Sequence, residues 1–289
     1  MSSGVTFILA PREMSSARIR DLLKKYLVRT NILFGIAQEG YIQGFENQPQ
    51  FRTLDAKFIN SLAAKSNGRI KVVKYAQGDS LKVINSANFT RAIIINGSFH
   101  RSFHLRPEYQ AIIDKGAKVK YEPPFLDEAE AKAFALSCTI PAPNTNVDID
   151  DVSAFSLIRQ ESVRAFITDF QNAAMVVKAG KVVSLAHNAV VPYETYAWHY
   201  GLSREKHQCP PGDSSQYDTI HAETAALIEA GPKAKGSTLY IRTFPCPHCA
   251  RNIAYAGVSE IVYELDYGDK YGYNLLDKAS IKYRRFHAG

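Results

Sequence analysis

Between residues 5 and 121 the chain alternates short β-rich runs with helical patterns. The runs are VTFIL (5–9), NILFGI (31–36), RIKVVKY (69–75), RAIIIN (91–96) and KVKY (118–121), and helical patterns fall at 15–28, 54–66 and 106–115. Such alternation predicts a parallel sheet with crossover helices, that is, an N-terminal parallel α/β (Rossmann-like) domain. The stretch 15–28 shows why: Ile19, Leu22, Leu23, Tyr26 and Leu27 recur at three- and four-residue steps, while Arg18, Arg20, Lys24 and Lys25 take the other face. One side of that helix must therefore lie on the sheet.

Open sheets of this kind bind ligands beyond the carboxyl ends of their strands. Those ends are Ala10-Pro11-Arg12, Ala37-Gln38 and Asn96-Gly97-Ser98-Phe99-His100-Arg101, the last being the most inviting. Neither GxxxxGK[ST] nor GxGxxG occurs in this half, so a kinase reading has no support. His100 and His104 flank basic residues after a strand, a spacing that ordinary surface helices also show.

The segment 139–152, TIPAPNTNVDIDDV, is rich in Pro, Asn and Asp and lacks apolar periodicity, which suits an exposed connection. The reading is thus an α/β domain over 1–138, a linker over 139–152 and a second domain over 153–289. Charge divides at the same place. Residues 1–139 carry 20 Lys and Arg against 12 Asp and Glu, and residues 140–289 carry 15 against 16, so the halves hold +8 and −1.

In the second half a helix is predicted over 153–170, with Leu157, Ile158, Val163, Phe166, Ile167 and Phe170 as its buried stripe. A hairpin follows, AAMVV (173–177) and KVVSLA (181–186), turned at Ala179-Gly180. After a polar and aromatic loop from 187 to 218 come a helix (221–230), a strand (238–243), a helix (246–256), a strand (260–265), and a last helix and strand.

A composition of 46% hydrophobic and 22% charged residues is that of a folded globular chain and excludes a disordered or fibrous one. No run approaches the roughly 18 to 20 apolar residues that cross a bilayer, and no signal peptide is evident, so a cytoplasmic protein without a membrane partner is expected. Four cysteines, Cys138, Cys209, Cys246 and Cys249, are too few for a disulfide framework and point to metal or catalytic use.

Two segments carry the chemistry: His221-Ala222-Glu223 and Pro245-Cys246-Pro247-His248-Cys249, each opening a helix, with one strand between them. Cysteines at i and i+3 on a first turn face the same way, where unpaired N–H groups and the helix dipole favour thiolates. One imidazole and two thiolates make three ligands, the count of a catalytic zinc that keeps its fourth position for water. Glu223 lies beside this set without belonging to it, as a proton shuttle must. A CxxC or an HxE alone is common; together, with 22 residues between Glu223 and Cys246, they match the HxE and PCxxC pattern of zinc nucleobase deaminases.

On these residues the chain resembles the cytidine and deoxycytidylate deaminase superfamily, and within it the dCMP deaminases, over about 153–286. Met175 to Pro192 is similar to the family's first hairpin and asparagine-bearing loop, and the Thr-Phe-Pro-Cys run at 243–246 and the tail from Ala256 to Tyr283 favour dCMP deaminases over tRNA adenosine deaminases. The resemblance implies a cytidine-deaminase-like α/β/α domain and a Zn²⁺ held by His221, Cys246 and Cys249. It implies hydrolysis of a cytosine nucleotide, dCMP to dUMP with release of ammonia, in which Glu223 protonates N3 and then the leaving amine. By the same match Asn188 binds sugar or base and the Ala222 N–H holds the pyrimidine O2.

Other residues stay open. His187 stands where many relatives have a bulkier aromatic. The long loop offers Arg204 or Lys206 for a 5′-phosphate, His207 and Cys209 for a second metal, or simply a lid. Tyr267 and Tyr271 are suited to stacking on a base. A small nucleotide is the expected substrate and a homo-oligomer the expected assembly. The first alternative is a base deaminase acting on RNA or DNA, with the +8 half gripping phosphates; the second is a structural zinc module in a nucleic-acid-binding protein, closed by Cys209.

Overall fold

The computed structural model describes residues 4–211, 213 and 218–287. They fall into two compact units, one lying within residues 1–139 and 192–218 and the other within 140–191 and 219–289. Each unit is built on its own five-stranded sheet.

The first unit runs β1 (Val5–Leu9), α1 (Ser16–Leu27), β2 (Asn31–Ala37), α2 (Ala56–Ala64), β3 (Ile70–Tyr75), α3 (Ser80–Ser86), β4 (Arg91–Ile95), α4 (Pro107–Asp114), β5 (Lys118–Glu122) and α5 (Glu128–Ser137). Its strands pair in parallel in the order β3-β2-β1-β4-β5, so the chain winds outward from β1 in both directions. This is the expected parallel α/β architecture, with α3 and α5 as helices that the sequence pattern did not reveal. Successive residues of the central strands point to opposite faces. Ile8, Phe34, Ile93 and Ile95 pack with α1 and α2, and Phe7, Leu9, Ala92 and Ile94 pack with residues of α3 and α4.

The loop from Pro192 onward returns to this first unit as α7 (Tyr196–Tyr200) and α8 (Ser203–Lys206). Trp198 is fully buried there, its ring 3.7 Å from the guanidinium carbon of Arg12, which is itself fully buried. Arg12 donates to the carbonyls of Gln50 (2.9 Å) and Gly97 (3.3 Å). Gly97 has φ +69, and a Cβ there would collide with both Arg12 and Trp198, so this position requires glycine. Glu205 is buried and accepts from the Phe103 N–H, from His104 Nδ1 (2.8 Å) and from the Tyr121 hydroxyl (2.7 Å). His104 is thereby an ordinary structural histidine, its other nitrogen 2.7 Å from the Cys209 carbonyl.

The second unit opens with α6 (Asp151–Ser162), followed by β6 (Ala173–Lys178), β7 (Lys181–His187) and β8 (Ala189–Val190). It continues with β9 (Thr219–Ile220), α9 (Ala222–Ala230), β10 (Thr238–Thr243), α10 (Pro247–Ala256), β11 (Glu260–Leu265), α11 (Tyr271–Lys278) and β12 (Lys282–Arg285). The sheet order is β12-β11-β10-β6-β7, parallel across β10, β11 and β12 and antiparallel where β6 meets β10 and β7. Ala174, Val176, Leu239, Ile241 and Ile261 face α9 and α10, while Ala173, Met175, Val177, Tyr240 and Val262 face α6, which gives the α/β/α layering.

The helix expected over 153–170 is shorter. An Asp150 capping box starts it, with Asp150 accepting from the Ser153 N–H and the Ser153 hydroxyl accepting from Asp150, and it ends at Ser162. Glu161, buried at its end, is held by Arg164 (2.7 Å) and by His187 of β7 (2.7 Å). Phe166 is buried beyond the helix, and Phe170 is half exposed. At the hairpin both Ala179 (φ +51) and Gly180 (φ +72) are left-handed, as a type I′ turn demands.

The first unit depends on a charged cluster. Glu122 accepts from Arg18 (2.6 Å), Tyr26 (2.7 Å), Lys25 (2.8 Å) and Lys120 (2.9 Å), tying α1 to the end of β5. Burial by itself raises the Glu122 carboxyl, but the hydrogen bonds from Lys25, Lys120 and Tyr26 outweigh it and hold the group at about 2. A depressed folded pKa contributes stability that is present above the unfolded value near 4 and is lost as pH falls toward 2. Glu122→Gln is therefore expected to cost about 2 kcal/mol at neutral pH, since half-exposed lysines screen part of the roughly 3 kcal/mol that the shift implies. Urea melts of the two proteins between pH 7 and pH 2.5 check it: the stability gap closes as the pH falls.

Candidate metal and catalytic site

The site is assembled at the first turns of α9 and α10. His221 is the N-cap of α9 and Cys246 the N-cap of α10, with Pro247 at the first helical position, where its missing N–H leaves nothing unpaired. His221 Nδ1 lies 3.6 Å from Cys246 Sγ and 3.4 Å from Cys249 Sγ. Among the described residues these three form the one group of metal-ligating side chains whose donor atoms all lie within 4.8 Å of one another. Cys209, which belongs to the first unit, is not in it.

Electrostatics favour a cation at this point. Cys246 is pulled down to about 4, chiefly by its hydrogen bond with Cys249, against the opposing effect of burial, and by His221. Cys249, facing that thiolate in a buried place, is pushed up. The two thiols cannot both ionise side by side without a positive partner, and a dication held by two sulfurs and one imidazole supplies it. The donor set fits zinc.

Glu223 sits one residue into α9, 3% exposed, and its Oε2 has no hydrogen-bond partner among the described residues. Burial raises its carboxyl above the ordinary range. Such an orphaned oxygen beside three metal-ligating side chains is uncommon in a purely structural setting, where buried polar atoms are paired.

Asn188 immediately precedes β8, which pairs with β9 just ahead of His221. This two-residue ladder brings the Asn188 side chain to the start of α9, where Oδ1 accepts from the Ala222 N–H (2.9 Å) and Nδ2 donates to the Phe170 carbonyl (2.7 Å). The Ala222 N–H assigned by resemblance to a pyrimidine oxygen is thus already donating to Asn188. One amide hydrogen of Asn188 remains for a ligand.

Tyr271 is half exposed, with the Arg251 guanidinium carbon 5.4 Å from its ring centroid, so both flank the CxxC turn. Arg204 and Lys206 lie on α8 in the first unit, and Arg204 donates to the Asp213 carbonyl there. Two supports escaped the sequence reading. Gly272 lets α11 approach the ligand turn, since a Cβ there would stand 2.9 Å from the Pro245 carbonyl. Phe244, stacked on Tyr273 at 3.6 Å, anchors the residues before Cys246 from below. A glycine beside an aromatic pair in the tail was the only available signal.

Residues 151–265 match the family model of the cytidine and deoxycytidylate deaminase zinc-binding region. The match covers less than half of the chain. Deoxycytidylate deaminase of Saccharomyces cerevisiae is 34% identical over 118 residues, covering 39% of this chain and 36% of that protein. A probable deoxycytidylate deaminase of Drosophila melanogaster is 29% identical over 132 residues, 43% of this chain and 61% of that one. Apo dCMP deaminase of cyanophage S-TIM5 aligns at 21% identity and TM-score 0.35 over 47% of this chain and 95% of that chain. The chain therefore spans between about a third and three fifths of the length of the two curated relatives.

Cys246→Ser is expected to lose most of its zinc and Cys209→Ala to keep all of it, as metal analysis of the purified proteins will show; full zinc in the first, or loss in the second, contradicts a His221, Cys246 and Cys249 site. Asn188→Ala leaves the buried Ala222 N–H without its partner and is expected to lower stability by about 1–3 kcal/mol, read from thermal melts.

Proposed function

We propose that the second unit catalyses hydrolytic deamination of a cytosine nucleotide, with dCMP as first substrate. The observation that carries this reading is the buried carboxylate of Glu223, whose Oε2 has no hydrogen-bond partner among the described residues, beside three donors gathered at two helix N-termini. His221, Cys246 and Cys249 would hold zinc. Zinc in that position supplies the positive charge that lowers the pKa of a water toward neutrality.

Glu223 takes a proton from the attacking water and returns it to N3 of the ring, then passes the second proton to the exocyclic nitrogen. The new bond is between the water oxygen and C4, the bond broken is that from C4 to the amine, and ammonia and a uracil nucleotide leave. Asn188 steadies the start of α9 through the Ala222 N–H and offers its remaining amide hydrogen to the substrate. Arg251 and Tyr271, beside the CxxC turn, suit the phosphate and the ring face. The +8 charge of residues 1–139 favours a second reading, deamination of a base within a polymer, whose binding would fall steeply with salt.

Ammonia release measured with dCMP, CMP, dCTP, deoxycytidine, single-stranded DNA and tRNA separates the two. Turnover of free nucleotides alone supports the proposal, and activity confined to polymers overturns it. Glu223→Gln is expected to retain zinc and the thermal melt of the parent while losing about 10²- to 10⁴-fold in rate, the usual worth of a positioned acid-base group. Near-parental turnover in that variant would remove Glu223 from the proton path.

A further inference from the structure

The first unit contains a cleft of about 400 Å³ at the carboxyl ends of β2, β3 and β4. Parallel α/β sheets place their ligands at these ends, near the point where strand order reverses. Here that point lies between β1 and β4, and directly beyond β1 it is filled by Arg12 and Trp198. The space left open lies beside it, walled by the turn after β2, by Tyr75 at the end of β3 and by Ser98 to Arg101 after β4.

Two hydroxyl groups in this wall are anomalous. Tyr75 is 3% exposed and Ser98 is 1% exposed, and neither hydroxyl has a hydrogen-bond partner among the described residues. Buried hydroxyls are nearly always paired, so each marks a place where a ligand or water completes the structure.

The charges facing the cleft are unequally matched. Arg106 is engaged by Glu108, which also accepts from Ser80. Glu39 accepts from the Gln77 N–H and Glu46 from the Gly44 N–H, so both carboxylates keep their charge but are held by backbone donors and not by Arg101. Arg101 has no hydrogen-bond or ion-pair partner among the described residues, and its φ of +64 holds it in a conformation that non-glycine residues adopt rarely. His100 adds an imidazole beside it, its ring edge-on to Phe45 at 5.4 Å. The cleft thus joins one uncompensated guanidinium and an imidazole to two buried hydroxyls, a set that matches a phosphate at one end and a hydroxylated body at the other.

We propose that this cleft binds a phosphate monoester carried on a sugar, with the phosphate taken by Arg101, His100 and the Ser98 hydroxyl, and the sugar hydroxyls by Tyr75. Sugar phosphates and nucleotides share this chemistry. The site is separate from the deaminase reading and stands or falls without it.

The test is calorimetric titration of the full chain with ribose 5-phosphate, AMP, ribose and inorganic phosphate. AMP carries no cytosine, so it distinguishes this cleft from a cytosine site. Saturable binding of ribose 5-phosphate or AMP at one site, about tenfold or more tighter than ribose or phosphate, is expected; tighter AMP names a nucleotide, and equal affinities name a sugar phosphate. Arg101→Ala, an exposed change that leaves the melting temperature in place, is expected to weaken that binding at least about tenfold without altering zinc content, and Tyr75→Phe to weaken it several-fold. Failure of both phosphate esters to bind, phosphate binding as tightly as its esters, or unchanged affinity in Arg101→Ala would each overturn the proposal.

Discussion

Two thiols, an imidazole and a carboxylate share one place at the start of α9 and α10, and a cation among them offsets the cost of burying two thiolates side by side. The helices are arranged to make that possible. Both sulfurs sit at the positive dipole end of α10, and the donors come from N-cap and first-turn positions, while the first N–H of α9 is taken by Asn188. In the sheet β10 is central, parallel to β11 and antiparallel to β6, and leads directly into Phe244, Pro245 and Cys246.

A related logic of charge under burial governs the first unit. Arg12 is buried whole, and burial lowers its pKa to about 9. It remains there because two carbonyls and the Trp198 face receive its guanidinium. Glu205 is its acidic counterpart, satisfied by a backbone N–H, an imidazole and a phenol. Both Trp198 and Glu205 come from the Pro192–Asp218 segment, which explains why this segment packs with a sheet that ended more than fifty residues earlier in the chain.

Much of the fold was legible because strand and helix periodicities are local. The runs VTFIL, NILFGI and RAIIIN became β1, β2 and β4 within a residue or so of their predicted ends, and the Ala179-Gly180 turn was readable from one glycine. Apolar residues continue past Ser162, so their pattern overextends the helix predicted over 153–170; where it ends, Glu161 is bound by Arg164 and by His187, and the second of those partners is distant in sequence. The long loop was read as free to serve a phosphate, a metal or a lid because its polar residues looked unemployed. Buried partners on another segment, such as Arg12 for Trp198 and Phe103 for Glu205, leave no mark in local composition.

By itself the sequence determined the three candidate metal donors, the carboxylate proposed to move protons and the two α/β patterns, since cysteines three apart on a helical turn and alternating apolar runs are short-range properties of the chain. Only the tertiary structure decided that Oε2 of Glu223 is left without a partner among the described residues, that Asn188 occupies the Ala222 N–H, and that Arg204 and Lys206 belong to the first unit. Each of those outcomes depends on which groups meet across the fold, and desolvation and hydrogen-bond competition are settled by neighbours in space.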